Sequence, residues 1–86
     1  MARALTMQRT VVTPGERARF LERARMLQAH YHRANCQYWI FEDAEVGGAF
    51  LEFAEAADES MLAAAQAAAP DAVGVDPTRL YREVEI

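Results

Sequence analysis

The run from Cys36 to Glu42 (CQYWIFE) limits this chain's fold more than any other segment. It is aromatic and β-branched, which favours an extended strand. Alternate side chains of a strand point to opposite faces, so Tyr38 and Ile40 share one face and Trp39 and Phe41 the other. A strand with one wet face should alternate apolar with polar residues, and this one is apolar on both. Both faces therefore need cover. The chain has 86 residues, enough for a single domain spanning residues 1–86. A domain of that size buries only about 60–65% of the surface its unfolded chain exposes. A partner subunit is the economical way to cover what one copy leaves open.

The flanking segments supply the rest of the fold. Leu5 to Val12 (LTMQRTVV) is rich in β-formers; Leu5, Met7 and Val11 share one side, with Arg9 as the exception. Thr13-Pro14-Gly15-Glu16 reads as a helix start. Thr13 would cap, Pro14 would take the first position where no N–H is needed, and Glu16 would complete a capping box. At ~100° per residue, Phe20, Ala24, Leu27 and Tyr31 fall within a narrow arc, with Leu21 at its edge. The predicted helix runs to Arg33 and lays that arc on a core, and Asn35 is its stop. After the aromatic strand, Gly47-Gly48 supplies a turn and Ala49 to Glu55 returns. A five-residue loop, 44–48, sets Trp39 opposite Phe53 and Phe41 opposite Leu51, keeping apolar residues together. A strict two-residue turn would set Glu42 opposite Phe53. Asp58 would cap a second helix through Met61, Leu62 and Ala65 to Ala69, ended by Pro70. Residues 71–78 read as loop, and Leu80 to Ile86 (LYREVEI) alternates as a last strand.

The predicted order is βαββαβ: an α+β, ferredoxin-like fold, with a four-stranded antiparallel sheet and two helices on one face. The other sheet face stays open in a monomer. An open apolar face marks an interface, and two sheets packed about a twofold axis would bury it as a homodimer. Tyr38, Ile40 and Phe50 share one face on this register and are the interface candidates.

Composition narrows the function classes. Net charge is −4 and no Lys is present, so every basic residue is Arg. An acidic balance argues against nucleic acid as a partner. Five of the nine Arg (Arg17, Arg19, Arg23, Arg25, Arg33) nevertheless fall in the first helix and give it a basic side. An Arg-only basic set with 18 Ala suits a bacterial genome of biased composition. Cys36 is the single cysteine, which excludes an internal disulfide and a Cys-based metal cluster and fits a reducing, cytoplasmic setting. Residues 1–13 lack a leader's apolar run, and no stretch approaches ~18 apolar residues, so no membrane span is expected.

Few residues point to chemistry. His30 and His32 are two apart on a helix and cannot aim at one ion, since helical ligand pairs need a spacing of three or four. Neither a metal nor an organic cofactor is expected. Cys36 near His32 could form a thiolate pair, but no orienting group or oxyanion site accompanies it. Glu42 and Glu52 share the face of Tyr38. They read either as an acid/base pair beside an aromatic wall or as interface carboxylates paired with Arg9 or Arg82. His30, Tyr31, Tyr38, Trp39, Phe41, Phe50 and Phe53, with those two carboxylates, are candidates to line a pocket for a small flat organic molecule. A plain core is the competing reading, and no catalytic residue is assignable.

In element order, size and doubly apolar strand, the chain resembles the dimeric α+β barrel proteins, which include the antibiotic biosynthesis monooxygenase-like group. That resemblance covers the layout of nearly the whole chain. It implies a homodimer and admits cofactor-independent oxygenases, haem-degrading and isomerase-like enzymes among many functions, so it fixes none of them. Three expectations follow: a homodimer that handles a small hydrophobic or aromatic molecule, a cofactor-independent monooxygenase-like enzyme, or a regulatory interaction module. Whether the chain is an enzyme is left open by its residues.

Overall fold

The computed structural model describes residues 2–69 and 80–86. Its elements are β1 (Ala4–Val11), α1 (Arg17–Arg33), β2 (Gln37–Glu42), β3 (Ala49–Ala56), α2 (Glu59–Ala67) and β4 (Leu80–Arg82). They build one four-stranded antiparallel sheet in the order β2-β3-β1-β4. This is the ferredoxin-like α+β arrangement. The expected Pro70 stop and the loop over 71–78 lie outside the described residues.

The start of α1 differs from the expected capping box. Pro14–Glu16 forms a separate 3₁₀ turn, and the Thr13 side chain makes no capping bond. The Glu16 N–H instead bonds the Thr13 carbonyl at 3.0 Å, so the backbone satisfies what the hydroxyl was expected to. Proline's fixed φ suits this tight turn as well as it suits an α-helical first position. Downstream, the helix buries Phe20, Ala24, Leu27 and Tyr31, the arc read from its periodicity.

Asn35 ends α1 with φ +61, the left-handed conformation that asparagine tolerates better than most residues. The Asn35 N–H bonds the His32 carbonyl, and the Cys36 N–H bonds the Tyr31 carbonyl at 2.8 Å. This is a Schellman turn, and it satisfies the last helical carbonyls while aiming the chain into β2.

Asp58 caps α2 as expected, its Oδ1 accepting from the Met61 N–H at 2.8 Å. We expect Asp58→Ala to cost about 1 kcal/mol in urea unfolding, because it leaves that first-turn N–H without its acceptor.

The β2–β3 register sets Trp39 opposite Phe53 and Phe41 opposite Leu51. The last strand is shorter than expected. Among the described residues, Leu80–Arg82 pairs with β1, and one more ladder bond joins the Glu83 N–H to the Arg3 carbonyl. Past that bond the strand has run beyond the start of β1, and Val84 and Ile86 are exposed.

The core lies between the sheet and the helices. One buried cluster gathers Ala4, Tyr38, Ala54 and Ala56 of the sheet with Leu27 and Tyr31 of α1 and Leu62 and Ala65 of α2. Val12, Phe20 and Phe50 close one end. The small residues of β1 and β3 let the alanine-rich α2 approach closely.

Candidate functional site

The interface candidates sit on the other face from the one expected. Tyr38 and Phe50 are buried beneath α1, and Ile40 packs against the same core. The shared face was read correctly and the side was reversed: helices cover the Tyr38 face. The open face carries Leu5, Met7, Trp39, Phe41, Leu51 and Phe53. The register aligns them in two rows, Trp39–Phe53–Met7 and Phe41–Leu51–Arg9. Phe41 meets Phe53 edge to face at 5.7 Å. Met7, Trp39 and Phe41 are 42, 41 and 57% exposed. Trp39, Phe41 and Phe53 therefore cannot line a pocket between α1 and the sheet.

Glu42 and Glu52 both lie on the helix side, but they do not form a pair. The two Arg17 guanidinium nitrogens donate to the Glu42 oxygens at 2.7 and 2.9 Å, and the Gly48 N–H donates to Oε2 at 3.0 Å. Arg17 also lies over the Phe50 ring, 5.3 Å from its centroid. Phe50 packs on Phe20 at 4.7 Å. The Arg17 hydrogen bonds, and then the Gly48 N–H, lower the Glu42 carboxyl to a pKa of about 2. This is a structural clasp joining the start of α1 to the hairpin.

A folded-state pKa below the unfolded one stabilises above the unfolded value, near 4.5, and that contribution fades as pH falls toward 2. We expect Glu42→Gln to lower the urea midpoint at pH 6, with the gap to wild type closing between those two values. A gap of constant size across that range would show that the clasp does not depend on charge.

Glu52 is different. It is 8% exposed. The Tyr38 hydroxyl donates to its Oε2 at 2.7 Å. Its Oε1 is buried without a hydrogen-bond partner among the described residues. The Tyr38 ring stacks on Tyr31 at 5.7 Å with 5° between planes. Burial, then the bond to Glu52, pushes the Tyr38 phenol well above its ordinary range. Tyr31 is raised too, chiefly by burial and then by the neighbouring Cys36 and Glu52. Both phenols thus stay protonated. Cross-strand neighbours of Glu52 are Ile40 on β2 and Gln8 on β1. Thr6 on the same face is buried, whereas Gln8 and Thr10 are half-buried. The helix-side surface of β1 therefore opens toward the sheet row that holds Glu52.

The remaining candidates are structural. His30 is turned to α2, its Nε2 2.7 Å from the Ala65 carbonyl, and it touches Tyr31 edge-on. It straps the two helices together and does not reach Glu52. His32 is exposed in the last turn of α1. Cys36 is 2% exposed, and burial pushes its thiol up, away from the reactive thiolate. Arg82 pairs with Glu59 rather than with Glu42 or Glu52. Among the described residues, no three His, Cys, Asp or Glu side chains group to hold a metal ion. No described helix is long and apolar enough to cross a membrane.

Sequence reading missed Gln8 opposite Glu52 and Thr6 opposite Ala54 on the same face, and Arg17 as the partner of Glu42. The first two needed the β1–β3 register, which periodicity alone does not give. The third had a signal: a cation in the opening turn of α1 and a carboxylate at the end of a strand.

No protein-family model matches the chain, and no curated protein does. A solved structure, that of Rv0793 from Mycobacterium tuberculosis, aligns over 100% of this chain and 96% of that one. Its TM-score is 0.63 at 14% sequence identity. At that identity the likeness speaks to the fold, which the two chains share.

Proposed function

We propose that this chain is a homodimeric protein that handles a small, flat hydrophobic molecule on the helix side of its sheet, as a dimeric α+β barrel. The observation that carries the reading is Glu52, a buried carboxylate with one oxygen fixed by Tyr38 and the other unmatched. Buried polar atoms are nearly always partnered, and an orphan calls for a bound group or a role. Tyr38, bonded to the other oxygen, stacks on Tyr31, and Ile40 lies opposite Glu52 in the sheet. The open face supports the dimer, because two copies would bury each other's Trp39, Phe41 and Phe53. A single unit over residues 1–86 in a reducing bacterial cytoplasm suits the lone, buried Cys36.

Two measurements test the reading. Light scattering should give twice 9.6 kDa across a dilution series. Saturation-transfer NMR with a panel of flat aromatic compounds should find binders. A dimer that binds none of them would be a plain interaction module, and the handling role would fall.

A second reading, membership of the monooxygenase-like group as a cofactor-independent enzyme, draws on the same carboxylate. A buried carboxylate facing a donor is placed to take its proton. Oxygen uptake with an added quinol, lost in Glu52→Leu, would favour it; equal uptake in both proteins would remove it.

A further inference from the structure

We infer that Glu52 Oε1 anchors a neutral, flat ligand that brings its own N–H or O–H donor. This rests on the handling role just proposed and specifies the kind of molecule. Glu52 is 8% exposed, so bulk water does not solvate it freely. Its Oε2 is taken by the Tyr38 hydroxyl at 2.7 Å, while Oε1 is unmatched among the described residues. A carboxyl oxygen of this kind offers lone pairs, so the partner that complements it is a donor.

Charge and burial together select neutrality. The carboxylate itself repels an anion. A cation would have to shed its hydration to reach a carboxylate only 8% exposed, a cost that can exceed the attraction between the two charges. A neutral donor meets neither objection.

Shape follows from the surround. The Tyr31 and Tyr38 rings are stacked nearly parallel. Ile40 lies beside Glu52 on one strand and Gln8 on the other. A flat body is the shape that packs on such rings, and the half-buried Gln8 and Thr10 lie on the same sheet face as Glu52. Tyr38 acts as a positioning residue: it fixes one carboxylate oxygen and thereby orients the other.

Indole and 1-methylindole are matched probes, since the methyl group removes the N–H donor and keeps the flat body. Each is titrated into the full-length chain and followed by amide chemical shifts. Indole should bind saturably, shift Tyr38, Glu52 and Gln8, and bind at least about tenfold tighter than 1-methylindole, as a hydrogen bond to a charged acceptor provides. Glu52→Leu should erase that preference. Equal binding of both probes by wild type overturns the inference while leaving the handling role standing. A preference that survives Glu52→Leu, or shifts confined to the open face, does the same. Binding of neither probe overturns it and counts against the handling role as well, assigning Oε1 to a trapped water. If Glu52→Leu does not fold, the wild-type pair of titrations still decides.

Discussion

Met7→Asp is expected to turn the proposed dimer into a monomer. Met7 lies on β1, an inner strand, in the row that also holds Phe53 and Trp39. It is 42% exposed in the single chain, so an aspartate there can stay solvated and leave the protomer folded. In a face-to-face pair about a twofold axis, the same substitution enters the seam from both sides. Leaving a charge buried and unpaired costs about 3–5 kcal/mol. The dissociation constant should therefore rise by at least about a hundredfold. Light scattering would then report 9.6 kDa with an unchanged far-UV spectrum. A mass still twice that value would mean that the copies meet elsewhere and the apolar face serves another partner.

Gly48→Ala should be the most damaging added methyl among the described glycines. Gly48 sits at φ +86, and a Cβ built there would lie 2.4 Å from the Val12 carbonyl oxygen. That neighbour is backbone and cannot swing aside as a side chain does. The two segments are also joined by the Val12 N–H to Gly48 carbonyl bond at 2.7 Å, which holds the hairpin loop to the end of β1. A left-handed conformation costs a non-glycine residue roughly 1–2 kcal/mol, and relieving a tight clash costs about 1–3 kcal/mol more. We expect a loss of about 2–5 kcal/mol in urea unfolding at constant slope. The adjacent Gly47→Ala is the control. Nothing lies within 4 Å of its built Cβ. It should stay within about 0.5 kcal/mol of wild type.

Much of the architecture was legible because it is periodic. Phe20, Ala24, Leu27 and Tyr31 announce the buried stripe of α1 by spacing alone, and the pairing of Trp39 with Phe53 follows from keeping apolar residues together. Periodicity says which residues share a face, but not which face the helices take. In β2 both faces are apolar, so Tyr38 and Ile40 could not be told from Trp39 and Phe41 by hydrophobicity. A better signal lay in the neighbouring strands. Ala4, Thr6, Ala54 and Ala56 are small and share one face, which suits close helices, whereas Met7, Leu51 and Phe53 on the other are bulky. The carboxylates show a further limit. Glu42 and Glu52 look alike in sequence, and they separate only when Arg17 reaches one and Tyr38 the other across the fold.

The turn at Asn35 has an evolutionary corollary. It delivers the chain into β2 with fixed parity, so one residue gained or lost between Ala34 and Gln37 would exchange the two aromatic sets. Tyr38 would leave Glu52 and face outward, and Trp39 would be driven beneath α1. Descendants of this chain should conserve length across that turn, or change it by two residues at once. The loop over 43–48 is held as firmly, since the Gly48 carbonyl accepts from the Val12 N–H and the Gly48 N–H donates to Glu42.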